Sequence, residues 1–330
     1  MTHAPGSKVA LLQGDCRAAL KTLPGNSVDC VVSSPPYWRQ RDYGMPGQIG
    51  LESTPEEYIE QLVAVFSECR RILRPQGTCW VNLGDKWASG GNGGGGKWIA
   101  ERGHAWDHAK GAKGWRKPPP GYKDKDLVGI PWMFAFAARA EGWFLRQCNI
   151  WAKPNGMPES VADRSTAAHE YVFHLTKNND YWYDSKAARI PAAPGTQTRL
   201  AQNVGIQQGS ERANAGAKTS GRMKAVGNVT SANLRSVWWI SPAQYRDGHY
   251  AVMPDRIAEI CISAGCPPKG TVLDPFGGAG TTGLVASRLG RHAILIDLNP
   301  KYAEMARMRI ERDAPLFTQV EQVNSANDVP

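Results

Sequence analysis

The chain has 330 residues, and its 39 Lys and Arg against 30 Asp and Glu give a formal charge of +9. That length holds one large α/β domain with an inserted module, and the positive balance favours an anionic partner, nucleic acid first. Seven cysteines with no C-x-x-C pair and no His at zinc-finger spacing exclude a disulfide framework or zinc ribbon, so no metal is expected. No apolar run reaches the ~18 residues that span a bilayer, and the first eight residues lack a signal run, so a cytoplasmic protein with reduced core thiols is expected.

Residues 9–12 form a short apolar strand that runs into Gly14-Asp15, and residues 16–23 read as a short helix stopped by Pro24-Gly25. Residues 28–32 are a compact apolar strand that ends at Ser33-Ser34-Pro35-Pro36-Tyr37-Trp38. Thr54-Pro55-Glu56-Glu57 supplies an N-cap, a proline at the first helical position and acids in the first turn. Tyr58, Leu62, Val65, Phe66 and Ile72 then recur at helical spacing, and Pro75 and Gly77 are expected to close this helix. Strands are predicted at 78–83, 144–151, 170–175, 271–273 and 293–296, with helices at 130–142, 253–264 and 284–289. Strand and helix alternate, which predicts an α/β class with a mostly parallel twisted sheet.

Two stretches interrupt the alternation. Residues 88–126 are rich in Gly, Lys, Arg and Trp and contain Pro118-Pro119-Pro120, the composition of a long mobile loop. Residues 191–235 carry Arg199, Arg212, Lys218, Arg222, Lys224 and Arg235 against the single acid Glu211, amid Gln, Asn, Ser and Gly. This segment reads as a separate module whose cations and amides suit DNA. The tail at 313–330 has weak periodicity and is expected to be flexible.

The turn Asp274-Pro275-Phe276-Gly277-Gly278-Ala279-Gly280-Thr281 joins a strand to a helix through glycines that let the backbone approach a ligand. Asp297 ends the next strand, where an acid can accept hydrogen bonds from two ribose hydroxyls. Asp274 stands where an ammonium can be held, and no Gly-Lys-Ser/Thr follows to grip phosphates. A positively charged, phosphate-free nucleoside such as S-adenosylmethionine fits this pattern better than NAD or ATP.

Ser34-Pro35-Pro36-Tyr37 follows a buried strand, and its two prolines fix carbonyls so that they face an amino group; Tyr37 adds a ring for stacking on a withdrawn base. With the glycine turn, this motif resembles the amino-directed DNA methyltransferases, in which Ser/Asp/Asn-Pro-Pro-Tyr/Phe is catalytic and Asp-x-Phe-x-Gly-x-Gly binds the methyl donor. The order is that of the β-type, permuted members, similar to stand-alone bacterial or phage-type enzymes.

The resemblance implies a circularly permuted Rossmann-like fold divided into a catalytic half (1–190), a target-recognition module (191–235) and a cofactor half (236–312). It implies catalytic Ser34, Pro35, Pro36 and Tyr37, and cofactor contacts from Asp15, Asp274, Phe276, Gly277, Gly278, Gly280, Thr281 and Asp297. The segment from His249 to Asp255 resembles the wall around the methionine end of the cofactor, and Asp85 reads either as a pocket-rim residue or as a helix cap. Duplex DNA is the implied substrate, a homodimer the implied assembly, and a restriction nuclease a partner that the sequence leaves open. Adenine N6 and cytosine N4 present the same N-C-NH2 edge; Ser in the first motif position points to cytosine, while Ser-Pro-Pro-Tyr-Trp followed by Arg41-Asp42-Tyr43-Gly44 is similar to enzymes of both kinds. We lean to adenine N6 and leave both open. Two rival readings remain, an RNA methyltransferase on the same fold and a non-catalytic DNA-binding module.

Overall fold

Aliphatic runs at the start of the chain fold as β1 (Ser7–Gln13), α1 (Cys16–Thr22) and β2 (Val28–Ser33), followed by the short β3 (Arg41–Asp42). This is a computed structural model that describes residues 6–88, 110–111, 118–193, 230–243, 252–313 and 318–322. Helix α2 (Pro55–Ile72) begins as its sequence dictates: the Thr54 hydroxyl accepts from the Glu57 backbone N–H while the Glu57 carboxylate accepts from the Thr54 N–H. It is followed by β4 (Leu73–Leu83), β5 (Lys110–Gly111), α3 (Ile130–Ala140), β6 (Phe144–Ala152) and β7 (His169–Thr176). The remaining elements are β8 (Ile190–Pro191), β9 (Ser231–Ala232), β10 (Val237–Trp239), α4 (Asp255–Gly265), β11 (Thr271–Asp274), α5 (Thr281–Arg288), β12 (His292–Asp297), α6 (Pro300–Asp313) and β13 (Thr318–Gln322).

Two compact units result, residues 1–184 with 236–330, and residues 185–235. The larger holds a nine-stranded sheet in the order β10-β6-β7-β4-β2-β11-β12-β1-β13. Only β7 runs against its neighbours β4 and β6; β2, β4, β11, β12, β1 and β13 pair in parallel, as do β6 and β10. The stretches expected to form the catalytic and cofactor halves share one sheet, with β2 beside β11 at its centre. β3 pairs with β5 in a separate antiparallel ribbon.

Strand alternation sends Val31, Val81, Leu83 and Phe173 to one face, where they pack with Leu62, Phe66 and Ile72 of α2 and Phe134 of α3. On the other face lie α4, α5 and α6, so helices cover both sides of the sheet, as parallel strands require.

In the smaller unit, β8 and β9 pair antiparallel, and the Arg189 guanidinium donates to the Ser231 hydroxyl at 2.7 Å and its carbonyl at 2.9 Å. The unit begins at Ser185, six residues before the sequence-based boundary. Arg199, Arg212, Lys218, Arg222 and Lys224 lie outside the described residues, and Arg235 is exposed. Most of the stretch expected to be a mobile loop also lies outside them; its two ends are tied by a bridge between Trp87 and Leu127 and by the Ala88 N–H donating to the Asp126 carbonyl at 2.8 Å.

Several boundaries differ from expectation. Pro75 and Gly77 do not terminate α2; the helix stops at Ile72, and both residues lie in a bulge of β4 between the Val28–Leu73 and Cys30–Thr78 pairs, where a proline has no ladder donor to supply. Helix α5 starts at Thr281 and not at Leu284, directly after Gly280, which turns the chain in the left-handed region as N-cap. The tail is not wholly irregular: β13 pairs with β1, setting Val320 beside Val9.

Candidate active site

Both sequence motifs leave the carboxyl ends of adjacent strands. In β2 and β11, Cys30 pairs with Val272 and Val31 with Leu273, so Ser33 and Asp274 end side by side. The Ser33 hydroxyl donates to Asp274 Oδ1 at 2.5 Å, and the Phe276 N–H donates to the same oxygen at 3.0 Å. Thr282 completes the arrangement by donating to Oδ2. Asp274 thus braces β2 against the glycine turn, and one lone pair of its Oδ2 takes no donor among the described residues.

An open cleft lies at this junction. Ser34 and Pro36 line it together with Asp15, Asp274, Phe276, Gly277, Gly278, Thr281 and Asp297. Tyr43, Gln48, Ile49 and Met253 form the opposite walls. Within the segment expected to line the methionine end, Val252 and Met253 reach the cleft, while His249 lies outside the described residues.

Asp297 accepts the Gly278 N–H on Oδ2 and the Asn299 N–H on Oδ1, both at 2.8 Å, leaving a lone pair on each oxygen toward the cleft. Gly278 and Gly280 adopt φ of +51° and +77°, a region that side chains strain to reach. Gly280 does not line the cleft: a Cβ there would sit 2.7 Å from Ala306 Cβ, so this glycine lets the turn pack on α6.

Burial pushes Asp274 and Asp297 up to about 6, a desolvation that a cationic ligand would offset. No Lys or Arg is among the described residues that line the cleft. Polyphosphate cofactors would meet uncompensated acids here, whereas a sulfonium and ammonium pair meets carboxylates. The residues present therefore fit S-adenosylmethionine.

Asp15, expected at the cofactor, also caps a helix. Its side chain caps α1 through the Arg17 N–H at 2.9 Å and holds the Arg17 guanidinium by two oxygens, which lowers its pKa. It lines the cleft with both oxygens already engaged. Asp85 is a helix cap: its Oδ1 accepts from Gly129 and Ile130 at the start of α3, at 3.0 and 3.1 Å. Trp38 is buried in the core, with its indole donating to the Glu52 carbonyl.

The turn from Ser34 to Tyr37 is held from three sides. The Tyr58 hydroxyl donates to the Pro36 carbonyl at 2.7 Å. Tyr37 is half-buried against Gly84, where a Cβ would lie 2.7 Å from its Cε2, and its phenol donates to Glu170 Oε2 at 2.5 Å. Tyr58, Glu170 and Gly84 were not singled out from sequence. Tyr58 sits on the apolar stripe of α2, and Glu170 has the alternation of an ordinary strand residue, so neither carries a local signal. Arg309 was missed for the same reason; it reaches from α6 to the Ala279 carbonyl at 3.2 Å and the Thr281 hydroxyl at 2.8 Å, fixing the glycine turn.

The thiols are no nucleophiles. Six of the seven cysteines are buried and Cys148 is partly so, all are free, and burial pushes each thiol up, Cys16 to about 12.

A mostly parallel sheet whose adjacent central strands end in a glycine cofactor turn and a Pro-Pro turn defines a Rossmann-like methyltransferase. Residues 28–308 match the DNA methylase family of N6- and N4-directed enzymes, and the chain belongs to that family. The type II methyltransferase M.SmaI of Serratia marcescens is 41% identical over 304 residues, covering 92% of this chain and 90% of its own. Among solved structures, the cytosine-N4-specific PvuII DNA methyltransferase is 18% identical with a TM-score of 0.60, covering 98% of this chain and 97% of that one. A putative DNA modification methylase of Thermus thermophilus, TTHA0409, complexed with S-adenosyl-L-methionine, is 23% identical with a TM-score of 0.55, covering 95% and 99%. These two structures share the fold. By family, the chain is an S-adenosylmethionine-dependent DNA methyltransferase.

Proposed function

We propose that Ser34, Pro35 and Tyr37 receive a base flipped out of duplex DNA and prepare its exocyclic amino group for methylation. Tyr37 stacks on the base, and the amino group donates to the Ser34 hydroxyl and the Pro35 carbonyl. Among the described residues the Pro35 carbonyl accepts no hydrogen bond, whereas that of Pro36 is taken by Tyr58. These bonds draw the nitrogen out of conjugation with the ring and aim its lone pair toward the cleft, so positioning and electrostatics carry the catalysis. S-adenosylmethionine, when bound, supplies an electrophilic methyl group. Asp297 accepts ribose hydroxyls, and Asp274 faces the cationic end.

The observation that carries this reading is the hydrogen bond between Ser33 and Asp274, which ties the catalytic and cofactor turns to one point of the sheet. Adenine N6 and cytosine N4 both satisfy the geometry, since each offers the same amino edge. We read the catalytic strand's precedence over the cofactor strand as a circular permutation, residues 191–235 as the target-recognition module, and the active enzyme as a cytoplasmic homodimer, with or without a cognate nuclease. Incubating the enzyme with labelled S-adenosylmethionine and either duplex DNA or RNA tests the substrate class. Transfer to DNA alone is expected; transfer to RNA alone, or to neither, overturns the proposal.

A further inference from the structure

The cluster behind Tyr37 is built from charged groups that the mechanism above does not use. Glu170, at the start of β7, accepts the Tyr37 phenol on Oε2 and the Asn82 amide on the same oxygen at 3.1 Å. Its Oε1 takes the Lys153 ammonium at 2.5 Å, and the pair is largely withdrawn from solvent, with side-chain exposures of 14% and 21%. Lys153 is itself fixed: its ammonium stands 4.5 Å from the centre of the Trp151 ring, and its N–H donates to the Ala168 carbonyl at 2.8 Å.

Burying a carboxylate and an ammonium beside a phenol costs free energy that packed apolar groups would not, so the fold gains little stability from this choice. What the cluster does provide is direction. A phenol that donates to a paired carboxylate makes a charge-assisted bond with a narrow geometry, and Gly84 leaves room for the ring to lie flat against the backbone. Burial, and then the Glu170 charge, hold the Tyr37 hydroxyl well above its ordinary pKa, so it stays a donor.

We propose that Glu170, charge-balanced by Lys153, is a positioning residue for base methylation that locks the Tyr37 ring in the orientation on which the flipped base stacks. This rests on the reading of Tyr37 as the stacking residue. Without the lock the ring can rotate about its side-chain bonds, and the base's amino group loses its alignment with Ser34 and Pro35. Displacements of that kind cost on the order of a hundredfold in rate when they reach about 1 Å.

The test compares Glu170→Gln, Lys153→Met, Tyr37→Phe, Tyr37→Ala and the Glu170→Gln/Tyr37→Phe pair in single-turnover transfer to duplex DNA from a host without methylation. Cofactor affinity and melting temperature are measured alongside. Glu170→Gln should slow transfer about tenfold or more, with cofactor affinity and melting temperature near wild type. In the Tyr37→Phe background, where there is no phenol to hold, the same substitution should change the rate by less than about threefold, the non-additivity of two groups acting through one bond. Lys153→Met should fall between wild type and Glu170→Gln. A wild-type rate in Glu170→Gln overturns the proposal, as do fully additive losses, which would place Glu170 on the DNA itself. A rate loss that follows the melting temperature overturns it too, by making the cluster purely structural. Full activity in Tyr37→Ala would instead remove the stacking reading beneath it.

Discussion

If Ser34 and Tyr37 serve the base, and Asp297 and the glycines the cofactor, substitution should separate the two. Ser34→Ala and Tyr37→Ala are expected to cut methyl transfer strongly with little change in S-adenosylmethionine affinity by calorimetry; wild-type turnover in both would take the motif out of the mechanism. Asp297→Ala should weaken cofactor binding by about 1–3 kcal/mol, the range for buried groups left without partners. The two acids also predict a pH signature. With Asp274 and Asp297 raised to about 6, protonation below that value removes the Asp274 charge that faces a cation and an Asp297 acceptor for the ribose, so cofactor affinity falls as pH drops through about 6. The ligand-free fold responds in the opposite sense. Acids with raised pKa bind more protons folded than unfolded between about 6 and the ordinary 3.8, so their contribution to stability grows on acidification over that window. Cofactor titrations at pH 5.5 and 7.5, chosen as about half a unit below and more than a unit above the shifted values, check the first sign; urea titrations of wild type and Asp297→Asn check the second.

At the scale of elements, local chemistry decided most boundaries. Helix α2 starts where Thr54 and Glu57 cap each other, so Thr54→Ala should lower stability to urea by about 1 kcal/mol while leaving the cofactor site intact. Gly278→Val and Gly280→Val should each abolish cofactor binding, the first through backbone strain beside Asp297 and the second by driving the turn off Ala306; calorimetry on the two proteins decides. The strands around both motifs were legible because apolar runs and Pro or Gly breaks are short-range signals. The pairing of Ser33 with Asp274 was not, since 241 positions separate them and only the sheet order brings them together. Asp15 and Asp85 show the reverse difficulty: an acid after a strand reads alike whether it meets a ligand or a backbone amide, and both of these meet backbone amides. β13 escaped notice because an edge strand of five mostly polar residues has almost no hydrophobic alternation to detect.

For the whole molecule, the sheet joins residues from both ends of the chain, whereas residues 185–235 form their own unit. If that unit selects the target, deleting residues 191–235 should abolish site-specific methylation and leave cofactor binding in place. A deletion that still modifies the same site would remove the recognition role. As a homodimer on a two-fold symmetric site, the active complex should sediment as two protomers per duplex; a strictly monomeric active complex contradicts that assembly. Among the described residues no helix is long and apolar enough to cross a membrane. Methylation of the exocyclic amino group of a DNA base is the activity to which every residue above is assigned. Its most direct test is to express the chain, with the Ser34→Ala variant as control, in a host without DNA methylation and to sequence the host DNA with detection of modified bases. N6-methyladenine or N4-methylcytosine at one defined sequence, lost in the variant, is expected; 5-methylcytosine, or DNA left unmodified by the wild-type chain, would refute that activity.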